Sequence, residues 1–338
     1  MTAAITALAI IVLACSLDLF VGEPPRRMHP VAWFGRLVGG FDRQWSTETH
    51  IQRFIGYLVA CFLPLLPALL AGGAVALAIA WSPVVGAVLA AVVLFVTSSL
   101  KLLLDLTREV ITATAADGQS LEDAREQVRG LVGRDVDELS PAQIRSAAIE
   151  SAGENLADGF AATLLPFALL APLSLPVAAA VAGWIKGVNT LDSMLGYRSK
   201  PHGTGSARLD DVVMFLPARI TACSLAVASI RPSALTAARF DAKSLASPNS
   251  GWPMAALAHG LDVRLEKVGA YVLNADADVP SVADGERAIS VVRLAAAMLV
   301  ALAAILAGFA PALESLVASR IVQIDSPLTG HVLGVADP

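Results

Sequence analysis

Three predominantly apolar runs, each long enough to cross a bilayer, set the first limit on this chain. They are Thr2 to Val21, Phe54 to Trp81 and Val84 to Leu104. About 20 apolar residues make a helix that spans the hydrocarbon core, and in lipid a helix satisfies its own backbone. A fourth run, Ile289 to Phe309, carries Arg293 near its start. Of the 338 residues, 56% are hydrophobic and 16% charged, whereas soluble domains carry about 25% charged residues. No β-period run or internal repeat stands out. The expected fold is all-α: a polytopic integral membrane protein in which 1–338 form one membrane domain, with spans at about 2–21, 54–81, 84–104 and 289–309. The first run has no basic n-region, and Asp18 and Glu23-Pro-Pro do not resemble a cleavage site, so it reads as a retained span.

Two other apolar runs are broken. Residues 160–183 contain Pro166, Pro172 and Pro176, and 212–230 contain Pro217 and Arg219. Proline interrupts a straight helix, and a charge at that depth costs about 2.5–3.5 kcal/mol on insertion scales. The first is expected to form a re-entrant hairpin of two short helices. The second is expected to turn back or pack inside the protein. A plain six-span arrangement is the simpler alternative. Lys and Arg concentrate in 22–53, 104–159, 184–211 and 231–288, which makes these loops cytoplasmic and both termini external.

Helix ends are readable in the loops. Ser120 with Asp123 resembles a capping box, with Gly133 closing that helix. Ser140, Pro141 and Gln143 start another, expected to run to Gly159. Ser281 with Asp284 starts the helix that leads into the last span. The cysteines, Cys15, Cys61 and Cys223, lie in apolar runs without metal spacing. The net charge of −5, with no basic block, argues against nucleic acid as a partner.

Glu150, Glu154 and Asp158 fall at four-residue intervals, which stacks three carboxylates on one helical face. Like charges at that spacing repel, so a shared cation is expected. Mg²⁺ suits the pattern, since it takes one or two carboxylates plus substrate phosphate; a solvated helix face near headgroups is the plainer reading. Asn155 lies beside the stripe.

Three more polar segments carry residues that simple connectors do not need. Asp18 precedes Gly22-Glu-Pro-Pro and His29-Pro30; a rigid exit loop is the alternative. Asn189 and Asp192 share a helical face, followed by Arg198, Arg208, Asp210, Asp211 and Arg219. The aspartates could hold a second metal and the arginines could clamp phosphate, or all could form an internal salt-bridge network. Ser247-Pro-Asn249-Ser-Gly251-Trp-Pro253 could bring backbone N–H groups to an anion, or be an ordinary turn. No P-loop or dinucleotide fingerprint is present.

These segments, in this order between apolar runs, resemble the CobD/CbiB family of cobalamin biosynthesis, the adenosylcobinamide-phosphate synthases. The likeness runs from about Asp18 to Tyr271. It rests on Asp18-Leu-Phe-Val-Gly-Glu-Pro-Pro with His29-Pro-Val, Glu154-Asn-Leu-Ala-Asp-Gly159, Asn189-Thr-Leu-Asp-Ser-Met-Leu-Gly-Tyr-Arg198, Ala207-Arg-Leu-Asp-Asp211 with Pro217-Ala-Arg219, and Ser247-Pro-Asn-Ser-Gly251. Glu23 stands where the family usually has Asp, Leu245-Ala246 replace a usual His-Pro, and 199–206 is short and lacks aromatic residues.

The resemblance implies an ATP-dependent amide ligase that joins adenosylcobyric acid to (R)-1-amino-2-propanol O-phosphate or the free amino alcohol. It implies Mg²⁺ at Glu154, Asp158 and Asp192. It also implies catalytic roles for Asp192, Asp210 and Asp211, and substrate or phosphate contacts from His29, Asn155, Asn189, Arg198, Arg208, Arg219 and Asn249. His29, His202 and His259 are candidates to meet the corrinoid cobalt. Expected partners are the corrinoid, the amino-alcohol phosphate and membrane lipid. A homo-oligomer and association with other membrane-bound assembly enzymes stay open. The expected location is a prokaryotic inner membrane with the active loops cytoplasmic. A non-enzymatic AmpE-like sensor and a transporter are the alternatives.

Overall fold

The computed structural model describes residues 2–115, 125, 139–197 and 199–325. The expected helix between Ser120 and Gly133, and Arg198, lie outside the described residues. Four helical stretches are long and apolar enough to cross a membrane: Ala3–Phe20, Thr49–Trp81, Pro83–Ala113 and Val282–Phe309. The first belongs to α1 (Thr2–Phe20). The second comprises α3 (Thr49–Phe62) and α4 (Leu65–Trp81), and the third α5 (Pro83–Thr97) and α6 (Leu100–Ala113). A short helix, α2 (Pro30–Gly39), lies between the first two spans.

The polar half begins at α7 (Pro141–Leu156). Its start is the capping box expected from the sequence: Ser140 Oγ accepts the Gln143 N–H at 3.3 Å, and Gln143 Oε1 accepts the Ser140 N–H at 3.0 Å. Its end differs from expectation. Gly159 does not stop the helix; the chain widens into a π-turn at Ala157–Ala161 and continues as α8 (Ala162–Leu170). Pro166 sits inside α8 and removes one N–H from its hydrogen-bond ladder. The chain turns at 171–174 and returns as α9 (Leu175–Leu195). The arms of this hairpin are therefore longer than the two short helices expected.

Helix α9 packs on α4 through glycines. A Cβ at Gly183 would stand 2.7 Å from the Pro67 carbonyl oxygen, so only glycine permits this approach, as in tight helix pairs within membranes. The break at Ser98–Ser99 inside the third span lies against the π-turn. Ser99 N–H donates to Gly159 O at 3.2 Å, and Ser98 Oγ lies 3.4 Å from Thr163 Oγ1. One backbone bond and one hydroxyl pair thus join the two irregularities, where an apolar medium leaves polar groups no water.

Helices α10 (Thr204–Val213) and α11 (Phe215–Ala228) follow, with a 51° bend between 201–213 and 215–228. Pro217 lies in the first turn of α11, where its missing N–H costs little. Then come α12 (Ser233–Asp241) and α13 (Gly251–Leu261), and a small antiparallel pair, β1 (Leu265–Lys267) with β2 (Tyr271–Leu273). At three residues each, these strands are too short to show a period. The last helix, α14 (Val282–Asp325), opens at Ser281, whose Oγ accepts the Asp284 N–H at 3.2 Å while Asp284 Oδ2 accepts the Ser281 N–H at 3.0 Å. The core is rich in alanine, with Phe167, Leu156, Leu164 and Leu225 among its fully buried larger side chains.

Candidate functional site

The acidic stripe on α7 divides into two parts. Glu150 is buried, and its carboxylate is spoken for: Oε1 accepts Ser146 Oγ at 2.9 Å and Oε2 accepts the Tyr271 hydroxyl at 2.8 Å. It anchors the β-pair to α7. Glu154 and Asp158 are half-buried and turn to a different company. Burial lifts Glu154 to about 7, helped by the charges of Glu150 and Asp192 and opposed by Lys267. Asp158 stands well above the ordinary carboxylate range through burial, then through repulsion from Asp210, Glu154 and Asp192, eased by Lys186. Asp192, on α9, is raised to about 6 by burial and by Asp211. Asp192 acts on Glu154, Asp158 and Asp210, and Asp211 acts on Asp192 and Asp210, so the five acids form a chain of neighbours, one acidic locus where α7, the π-turn, α9 and α10 meet.

Among the described residues no group of three or more His, Cys, Asp or Glu side chains is placed to hold a metal ion. The donor chemistry suits Mg²⁺ all the same. That ion keeps several waters and takes one or two carboxylates together with substrate phosphate, not a dedicated protein cage. Buried acids also favour its charge. Asp210 Oδ1 is buried with no hydrogen-bond partner, as an oxygen awaiting a donor or a cation would be.

Two cations at this locus were not singled out from the sequence as site residues. Lys186, on α9, interacts with Glu23 and Asp158, and it precedes Asn189 and Asp192 at three-residue steps, a helical-face signal that was there to be read. It also borders an apolar cavity of about 470 Å³ between α2, α4, α5 and α9. Lys267 comes from β1, and no local pattern announces it.

The remaining expected residues divide. Asn155 Nδ2 donates to Ser151 O and Ser151 Oγ, both at 3.0 Å. Asn189 lies half-buried on α9 beside the locus. Arg208 is exposed and reaches Asp211 only at 4.0 Å, which leaves its guanidinium open to an anion. Arg219 is not an open clamp. It donates to Asn249 Oδ1, to Phe215 O at 2.9 Å and to Pro248 O at 3.1 Å, and stacks 3.8 Å over the Phe215 ring. Asn249 Nδ2 in turn donates to Asp211 O at 2.7 Å. Arg219 and Asn249 therefore tie the 247–250 loop to the carboxylate-bearing end of α10.

The anion-receiving N–H groups expected in that loop are largely used. Ser247 Oγ accepts the N–H of Asn249 at 3.2 Å and of Ser250 at 3.3 Å, and Trp252 N–H donates to Asn249 O at 3.0 Å. Gly251 is needed for contact with the chain itself: a Cβ there would lie 2.8 Å from Ala242 Cα.

The three histidines considered for cobalt each face a carboxylate through Nε2. His29 meets Glu23 at 2.6 Å, His202 meets Asp42 at 3.1 Å and His259 meets Asp241 at 2.8 Å. His29 also caps α2 by accepting the Val31 N–H at Nδ1, 3.2 Å. Its role here is to fix the Glu23-Pro-Pro loop.

A helical membrane protein with a cluster of buried acidic side chains is the class these features define. The chain belongs to the CobD/Cbib protein family, whose model matches residues 11–310. It is 34% identical over 310 residues to the "Cobalamin biosynthesis protein CobD" of Rhodobacter capsulatus, covering 86% of this chain and 94% of the relative. It is 35% identical over 313 residues to a "Probable cobalamin biosynthesis protein CobD" of Methanothrix thermoacetophila, covering 88% and 96%. A protein of the same name from Methanothermobacter thermautotrophicus is 34% identical over 300 residues. No solved structure matches the chain.

Proposed function

We propose that this protein acts in cobalamin biosynthesis as an ATP-dependent acid–amine ligase, joining adenosylcobyric acid to (R)-1-amino-2-propanol O-phosphate, or to aminopropanol. Family membership supports the pathway. The observation that carries the chemistry is the meeting of Glu154, Asp158, Asp192, Asp210 and Asp211 at one locus.

The reaction has two stages. The corrinoid carboxylate attacks the γ-phosphorus of ATP, giving an acyl phosphate and ADP. The amine nitrogen then attacks the acyl carbon, phosphate departs, and the nitrogen loses a proton. Glu154, Asp158 and Asp192 would hold Mg²⁺, which when bound supplies neutralisation of phosphate charge. Asp210 and Asp211 stand where an ammonium group would be attracted. Arg208 offers an exposed guanidinium to phosphate, and Asn189 and Asn155 offer polar contacts near the carboxylates. Arg219 and Asn249 act by holding the neighbouring loop. The active segments are placed on the cytoplasmic side of the inner membrane, where ATP is available, and other membrane-bound assembly enzymes are candidate partners. Purified protein that makes an ATP-dependent amide from these substrates supports the reading; folded protein that makes none with either amine returns the choice to a sensor.

A further inference from the structure

Arg293 is a charge near the start of the apolar run in the last span. It lies on α14, within the membrane-crossing stretch Val282–Phe309. Its residue is exposed on the outside of the bundle, and among the described residues it has no hydrogen bond or ion pair. An arginine at such a place is costly unless it reaches a headgroup or a partner.

The side chain borders a cavity of about 550 Å³ where α1, α6, the π-turn and α14 meet. Its lining combines charged and apolar side chains. Asp18, Lys101, Asp105, Arg108 and Arg293 supply its charges, and Phe160 and Val300 are among its apolar residues. Asp105 is occupied by its neighbours, with Lys101 Nζ at 2.6 Å and Arg108 Nη1 at 3.3 Å. Asp18 Oδ2 accepts the Lys101 N–H at 2.9 Å, which caps the start of α6, while its Oδ1 is buried. Three cations against two carboxylates leave one positive charge in surplus, and the cation without a protein partner is Arg293.

We infer that this cavity is a binding site for one anionic phospholipid, with the phosphate at Arg293 and Arg108 and an acyl chain along Phe160 and Val300. Charge complementarity selects the occupant. A free anion would leave the apolar residues bare, and a lipid with no net charge would leave Arg293 uncompensated. The charged groups also sit at span ends, where a basic pocket between helices meets the headgroup layer. None of these residues belongs to the acidic locus, so the inference stands apart from the ligase reading.

The test is lipid retention by the full chain in detergent, read by native mass spectrometry with added phosphatidylglycerol, phosphatidylcholine or phosphatidylethanolamine. The native protein is expected to retain one phosphatidylglycerol in preference to the other two. Arg293→Ala should weaken that retention roughly fivefold, the factor one basic residue contributes at an anionic surface. Arg53→Ala, on α3 away from the cavity, should leave it unchanged. Ala297→Phe narrows the cavity from an exposed position without altering charge, and should also expel the lipid; its elution profile reports folding separately. Equal retention of all three lipids, preference for phosphatidylethanolamine, or native retention in both Arg293→Ala and Ala297→Phe would overturn the inference. So would displacement of the lipid by inorganic phosphate or aminopropanol phosphate, which would assign the site to a soluble anion.

Discussion

Tyr271 donates its hydroxyl to Glu150 at 2.8 Å, and this contact separates Glu150 from Glu154 one helical turn later. The first carboxylate holds the β-pair; the second belongs to the acidic locus. Substitution should separate them too. Tyr271→Phe is expected to cost about 1 kcal/mol of stability, and Glu150→Ala about 1–3 kcal/mol, because it strands buried hydroxyls. Thermal unfolding in detergent measures both, and the protein that remains folded should keep its turnover.

Glu154→Ala and Asp192→Ala should behave in the opposite way. Each removes a charge that already suffers from burial, so the folded protein should lose nothing in stability while turnover disappears. Wild-type rates in both variants would remove the metal assignment.

The pH dependence of stability follows from the same shifts. Glu154 is raised to about 7 and Asp192 to about 6, chiefly by burial. Below about pH 4 both are protonated in the folded and unfolded states and cost nothing. As pH rises, the unfolded chain releases its protons first, so stability falls until the folded values are passed. Metal-free protein should therefore lose thermal stability between about pH 4 and 7 and level off above. Asp42 acts in the other sense at lower pH, since its hydrogen bond from Lys200 and that from His202 hold it down. The difference between Glu154→Gln and wild type isolates the first effect: the variant should show a shallower fall. Added Mg²⁺ should restore stability to wild type near pH 7 and not to the variant. Identical slopes in the two proteins would contradict this.

Arg219→Lys keeps the charge and loses the fork that joins Phe215, Pro248 and Asn249. Limited proteolysis should cut the variant faster within 247–250, and KM should rise more than kcat falls. An unchanged cleavage rate would show that the loop is held by other contacts.

The spans were legible in the sequence because hydropathy alone determines them, as Phe54 to Trp81 and the observed Thr49–Trp81 illustrate. The starts at Ser140 and Ser281 were legible because caps are local. The family resemblance groups Glu154 with Asp158 and Asp192; in the structure Asp192 adds to the upward shift of both Glu154 and Asp158. What escaped depends on distant partners. Helical spacing puts Glu150 in line with Glu154, and only Tyr271, far along the chain, takes it away. Arg219 looked free because Asn249 lies on another element. The π-turn after Leu156 has no local signature, so Gly159 passed for a helix end. Leu245 and Ala246, which replace the family's usual His-Pro, leave the neighbouring Asn249 contacts in place.

The central claim is tested most directly by incubating purified protein in detergent with adenosylcobyric acid, Mg²⁺–ATP and either aminopropanol phosphate or free aminopropanol. The products are read by mass spectrometry. The predicted result is a new amide that forms only with ATP, made by wild type and not by Glu154→Ala. Absence of product with both amines, from protein shown to be folded, would contradict the ligase assignment.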